Sequence, residues 1–439
     1  MQKIIPFVLF VATYIVSTVS ASGDDTRVFV TGGVTVSHSA RNEGLYYDTP
    51  ARRVAYNVQV MKLAPNPRPR YVTIFHSEAR NHGFRKPGDS IRLGYVDGAF
   101  TYTMPGNCEY RLWGVQDDQE SLLFSPDVFG LPGWGGTGNP MMIKGAAGDD
   151  YYYIFFLCVA DDNHDKDVQV DDWRHDLLEA RTKDFINIEI RTEIDGKTCW
   201  RRFADDVPQK WRRPKPLLDV RGEPVRAKIC RNKGRTQGLI GSMCKYENTY
   251  YFFYTEIDAD NKTYLFYRTS PNIATIENTW SPAMKISGEA LMEGTCIRVA
   301  RAVTMNRWVV LYNGYTDLQK KHVLHQELML QVTDNMTVIG KGGLSSLKIL
   351  DRYFHGLGIS DRYYLGLSRG NGVYGQHDFM TDEYGNLASP TPDNATTQRS
   401  FITTTAFTPM VYGSKVYWAE FDLKEGATSD SHATKYRDR

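Results

Sequence analysis

Short apolar runs of five to ten residues recur along this chain, separated by turns rich in Gly, Asp and Asn. They carry the β-branched and aromatic side chains that strands favour, and their length and punctuation predict hairpins rather than helices. The clearest begins with Asn139-Pro140-Met141-Met142-Ile143-Lys144 and passes through Gly145-Ala146-Ala147-Gly148. It continues into Tyr151-Tyr152-Tyr153-Ile154-Phe155-Phe156, with residues 177–184 as a third strand. The same order returns at residues 241–245, 250–254 and 264–270, and again at 293–298, 308–312 and 327–330. Shorter copies start at His355, followed by 363–367, and at Thr404, followed by 415–419. Upstream, residues 28–30, 54–61, 71–75 and 90–95 also read as strands. Helical patterning is sparse; residues 171–181 are the one place where a turn or two of helix is expected.

A sheet unit repeated at roughly 50-residue spacing reads as the blades of a β-propeller. The expected fold is all-β: a five-bladed propeller over residues 131–425, preceded at 22–130 by a β-rich segment, an extra blade or strands that close the ring. The polar residues 426–439 form an expected disordered tail. Residues 1–21 have the layout of a cleaved export signal: Lys3 in a short positive region, an apolar stretch at 4–16, and Val19-Ser20-Ala21 as a small-residue cleavage site. The chain is therefore expected to be secreted, to the extracellular space or a periplasm.

Export changes how the six cysteines read. An even number in an oxidising compartment permits disulfides, and Cys199 with Cys230, which bracket a loop, form the expected bridge. Three Asn-x-Ser/Thr sequons occur, at Asn261, Asn335 and Asn394. The net charge of +1 points to no nucleic-acid or membrane partner. Within the longest inter-unit stretch the charge splits: acidic residues dominate 161–195 and basic residues 197–235. Either the two halves pair with each other or the loop meets an anionic ligand. The 27 Tyr and 8 Trp suit strand packing and also suit sugar-binding surfaces.

The repeat unit, an apolar strand, a Gly turn, a Tyr-Tyr-aromatic strand and then Ala180-Arg181-Thr182-Lys183-Asp184-Phe185, resembles the five-bladed propeller glycosidases. That superfamily includes arabinanases, β-xylosidases, arabinofuranosidases, invertases and levansucrases. The resemblance covers roughly residues 139–423. It implies acidic residues at the axial starts of inner strands, one giving a proton to the leaving oxygen and another activating water or attacking the anomeric carbon.

Carried over residue by residue, Glu293 in Met292-Glu293-Gly294 is similar to the family's general acid, with Thr295 where proline is usual. Asn139 stands where the base or nucleophile aspartate is expected, and Gly241 where the third aspartate is expected. Asp127, ahead of the glycine-rich 130–138 stretch, and His355, at the start of a unit, are the replacement candidates for acid or base. Trp134 is a candidate sugar platform. Arg369, His377 and Asp378, in the polar glycine-rich run 369–378, are candidates for binding substrate hydroxyls or a carboxylate. No metal ligand set is assigned. The axis and the acidic residues 161–172 are the two places where a Ca²⁺ would sit, and no other cofactor is implied. Two functions follow from these positions: hydrolysis of a poly- or oligosaccharide with Glu293 as proton donor, or non-catalytic carbohydrate binding on degenerate positions. A sialidase-type Ser-x-Asp-x-Gly-x-x-Trp box and a Gly-x-Ser-x-Gly elbow are both absent from the sequence.

Overall fold

A computed structural model describes residues 27–37, 53–64, 70–79, 89–97, 110–112, 137–161, 173–185, 187–202, 214–227, 241–257, 263–286, 297–315, 326–339, 347–349, 374–388, 397–407 and 414–426. Apart from a short 3-10 helix at Met336–Val338, all regular structure among these residues is β. In chain order the strands are β1 (Arg27–Ser37), β2 (Arg53–Lys62), β3 (Arg70–Ala79), β4 (Asp89–Asp97), β5 (Tyr110–Leu112), β6 (Thr137–Lys144), β7 (Tyr152–Asp161) and β8 (Trp173–Thr182). They continue with β9 (Ile188–Ile194), β10 (Lys197–Arg202), β11 (Arg226–Ala227), β12 (Ser242–Tyr246), β13 (Thr249–Ile257), β14 (Thr263–Ser270) and β15 (Met284–Lys285). The last are β16 (Ile297–Ala302), β17 (Arg307–Tyr315), β18 (Gln326–Thr333), β19 (Leu347–Ile349), β20 (Tyr374–Thr381), β21 (Thr397–Phe407) and β22 (Ser414–Gly426).

These strands make four sheets. β6 to β10 run in sequence order, with β11 added beside β8; β12 to β15 and β16 to β19 form two further antiparallel meanders. The fourth sheet joins the two ends of the chain in the order β1-β22-β21-β20-β2-β3-β4-β5. It is antiparallel except where β2 meets β20, Val60 opposite Met380, in a parallel pairing. Five strands then contact one another in a closed order: β2 touches β6, β6 touches β12, β12 touches β16, β16 touches β20, and β20 returns to β2.

The aromatic runs are continuous because the sheets that carry them are buried on both faces. Along β7, Tyr152, Ile154 and Phe156 pack with Met61, Val72 and Ile74 of β2 and β3. The alternate residues Tyr153, Phe155 and Leu157 pack with Tyr250, Phe252 and Tyr254 of β13. Strand β13 repeats the arrangement, sending Phe253 and Tyr251 to the far side, against Val299, Trp308 and Val310. Period-two alternation with an apolar partner on each side leaves no polar face, which is why the sequence reads as unbroken Tyr and Phe. Each such ring taken from water contributes about 1.5–3 kcal/mol.

Several expectations are corrected. The helix expected at 171–181 is strand β8, whose Leu177, Leu178 and Ala180 are buried on its two faces. Cys199 and Cys244 are free thiols, so the Cys199–Cys230 bridge is not made; Cys199 lies in β10, opposite Thr192 of β9. Thr404 starts no unit: it sits inside β21, opposite His377 of β20 and Tyr417 of β22. Among the described residues of the charge-split stretch, acidic and basic side chains pair, the first of the two readings. Arg226 meets Asp176 at 3.1 Å, Lys215 meets Glu193 at 2.5 Å, and the buried Arg191 lies 3.9 Å from Glu179. Burial pushes Glu179 up to about 8 against the pull of Arg191 and Arg181. The copies at 355–359 and 363–367 and the tail beyond 426 lie outside the described residues.

Candidate functional site at the inner-strand starts

Polar side chains interrupt the apolar inner strands where one sheet meets the next. Gln59 of β2 clasps β6: its Oε1 accepts from the Met142 backbone N–H at 2.7 Å and its Nε2 donates to the Met142 carbonyl at 3.0 Å. Ser242 of β12 does the same to β16, accepting from Val299 N–H at 2.8 Å and donating to the Val299 carbonyl at 3.1 Å. In each case a side chain mimics a backbone ladder and satisfies both the N–H and the carbonyl of the neighbouring strand.

Arg298 of β16 makes the longest span. Its guanidinium donates to the carbonyl of Gly241, just ahead of β12, and its Nε lies 3.0 Å from Asp378 Oδ2 on β20. The other carboxylate oxygen accepts from Phe379 N–H at 2.8 Å. Both side chains are buried, Arg298 at 0% and Asp378 at 8% exposure. Burial pushes Asp378 up to about 6, with Arg298 and the Phe379 N–H pulling it back. Asp378 is thus a charge-compensated group tied to an arginine rather than a carboxylate open to a ligand.

Gly241, one of the two positions where an aspartate was expected, has a physical reason for lacking one. A Cβ at Gly241 would lie 2.5 Å from the Phe253 carbonyl oxygen and 2.7 Å from the Phe252 ring, so any side chain is excluded. Asn139 is buried and held at φ +50°, a left-handed conformation that asparagine tolerates better than most residues. Where β6 pairs with β7 the register slips between Gly138 and Met141, placing this residue in a bulge.

The opposite end of the same strands is covered by residues 382–388, the turn that follows β20. Lys144 N–H at the end of β6 donates to the Glu383 carbonyl, and Lys245 N–H of β12 to the Tyr384 carbonyl, each at 2.8 Å. Leu387 N–H donates to the Arg301 carbonyl of β16, also at 2.8 Å. The buried Glu383 carboxylate receives Lys144 Nζ at 3.1 Å and the Tyr152 hydroxyl. Gly385, at φ +77°, packs so closely that a Cβ would overlap the Met243 carbonyl oxygen. One turn thereby ties down the ends of three sheets.

The structure brings together Asp378 and the neighbourhood of Gly241 through Arg298, and it puts Asn139 at the start of β6. His377 is not in a loop: it and Asp378 lie within β20, paired opposite Thr404 and Thr403, because the run's last residues extend a strand begun at Tyr374. Glu293, Asp127, His355, Trp134 and Arg369 lie outside the described residues. Among the described residues no group of three or more His, Cys, Asp or Glu is arranged to hold a metal ion. Sequence reasoning missed Arg298, Gln59 and Ser242. Their signal was available: each is a polar residue beside or within an apolar strand run, as in Val58-Gln59-Val60 and Ile297-Arg298-Val299.

No protein-family model matches the chain, and no curated protein does. Solved structures similar to it include the catalytic domain of the Coprinopsis cinerea family-62 α-L-arabinofuranosidase, at 10% identity and TM-score 0.42, covering 90% of this chain and 97% of that one. Bacillus subtilis levansucrase is similar at 9% identity and TM-score 0.44, covering 89% and 90%. A thermostable family-43 glycoside hydrolase is similar at 12% identity and TM-score 0.40, covering 87% and 96%. At these identities and TM-scores none of the three assigns a role to a residue of this chain.

Proposed function

We propose that this is an exported, glycosidase-like five-bladed β-propeller that binds a poly- or oligosaccharide at the end of its axis where the inner strands start. The blades in this reading are β2–β5, β6–β10, β12–β15, β16–β19, and β20–β22 completed by β1. Residues 27–112 then supply the first blade and the strand that closes the last. The closed order of contacts among β2, β6, β12, β16 and β20 supports the reading, as do the repeated sheet units of the sequence.

The observation that carries binding over catalysis is the Arg298 bridge. Cleaving a glycosidic bond needs two carboxyl groups, about 5–10 Å apart across the bond. Among the described inner-strand residues, Asp378 is committed to Arg298, Gly241 has no side chain, and Asn139 carries an amide that cannot take a proton from water. An amide such as that of Asn139, beside the aromatic strands, is suited to hold hydroxyls. A second reading, hydrolysis with Glu293 as proton donor, is favoured by Met292-Glu293-Gly294 immediately ahead of β16.

A screen of the purified mature protein against diverse glycans, scoring bound ligand and released sugar together, separates the two. The expected result is retained glycan, no released sugar, and unchanged affinity in Glu293→Gln. Sugar release that disappears in Glu293→Gln transfers the assignment to hydrolysis. Failure to bind any glycan removes both readings.

A further inference from the structure

The sequon Asn335-Met336-Thr337 closes the turn after β18, and the structure shows how it is held. Thr333 Oγ1 accepts from Asn335 N–H at 3.0 Å. Asn335 caps the 3-10 helix Met336–Val338, its Oδ1 accepting from Thr337 N–H at 2.9 Å and from the Thr337 hydroxyl at 2.7 Å. Met336 is half-buried against the core that β12, β13, β14, β16 and β17 share, and Ile339 is 1% exposed within it. Those two apolar anchors fix the turn, while Asp334, Asn335 and Thr337 remain exposed. Both side-chain bonds end on Oδ1; among the described residues Nδ2 donates none.

We propose that Asn335 is an N-glycosylation site, modified in a secretory pathway that uses a lipid-linked oligosaccharide. This rests on the export reading of residues 1–21. In the transfer, Nδ2 bonds to the anomeric carbon of a polyprenyl-pyrophosphate-linked oligosaccharide. The bond from that carbon to the pyrophosphate oxygen breaks, the lipid pyrophosphate leaves with the electron pair, and Nδ2 gives up a proton. The sequon supplies the acceptor amide and the hydroxyl two residues on. The folded turn then accommodates the product: a bulky polar glycan on an exposed amide nitrogen displaces no packed group, and the anchors that hold the turn lie on its other side.

The mature-chain peptide carrying Asn335 is analysed by mass spectrometry after secretion from a eukaryotic host, before and after amidase removal of N-glycans. A glycan at Asn335, with the amidase leaving an aspartate at that position, is expected in the wild type. Thr337→Ser should keep it, at equal or lower occupancy. Thr337→Ala and Asn335→Asp should abolish it; the aspartate retains the oxygen that caps the turn, so loss there reflects the acceptor nitrogen rather than misfolding. An exported chain whose Asn335 is unmodified overturns the proposal. A chain kept inside the cell with its leader uncut instead refutes the export reading. The same peptide is then read from the chain behind a heterologous cleaved leader, where an unmodified Asn335 again overturns the site. The peptides of Asn261 and Asn394, measured in the same digest, report whether the host modified any sequon of the chain.

Discussion

At one end of the inner strands the turn at 382–388 binds three sheets through backbone hydrogen bonds to Lys144, Lys245 and Arg301, with Glu383 buried beneath it. Nearer the strand starts, side chains join the sheets: Ser242 to Val299, and Arg298 to Gly241 and Asp378, while Gln59 clasps Met142, close to the turn's own contact at Lys144. Backbone bonds depend little on residue identity, so the turn is a fixture that only a change of shape disturbs. Side-chain clasps are chemically specific: the buried amide of Gln59, hydroxyl of Ser242 and guanidinium of Arg298 are each committed to a neighbouring strand. The difference teaches that the turn end is held by backbone shape and the level before it by specific, mutually satisfied side chains.

The sharpest way to break this comparison is to remove the cation from the side-chain clasps. Arg298→Met leaves Asp378 buried beside an apolar chain and should lower unfolding stability by about 3–5 kcal/mol, measured by urea titration. The double change Arg298→Met with Asp378→Leu should recover most of that loss, since neither charge then remains unpaired. At the turn end, Gly385→Ala forces a left-handed alanine onto the Met243 carbonyl and should cost about 2–4 kcal/mol, with glycan affinity of the folded fraction unchanged. Glu383→Ala strands the Tyr152 hydroxyl and Lys144, and should cost about 1–3 kcal/mol in the same titration.

A separate effect is in pH. Asp378 rises from the ordinary value of 3.8 to about 6 on folding, so between those values the folded state holds more protons than the unfolded state. Its contribution to stability therefore falls as pH rises from about 4 to 6. Asp378→Asn should remove that slope. Unfolding curves of the two proteins, compared across this window, should converge at low pH and separate above it.

The strands were legible because burial on both faces writes itself into the chain as unbroken aromatic runs: Tyr250 to Tyr254 and Tyr152 to Phe156 were read correctly as strands. Residues 171–181 were misread because β8 mixes Arg174, His175, Asp176 and Glu179 into its apolar positions. The two acids, Asp176 and Glu179, are answered by Arg226 and Arg191 on other strands, so no local pattern announces them. The site was legible only as positions. Gly241 and Asn139 were found by alignment of the repeats, whereas the reason for the glycine, the Phe253 carbonyl and the Phe252 ring, exists only once β12 and β13 pair. Arg298 was overlooked because its partners come from two other sheets.

Backbone hydrogen exchange of the mature protein, with and without the glycan that the screen identifies, tests the two-ended account most directly. The account predicts slowed exchange on binding at the strand starts, in the peptides containing Asn139, Gly241 and Gln376 to Asp378, with the 382–388 turn unchanged. Protection concentrated in the 382–388 turn, with none at the strand starts, would contradict it.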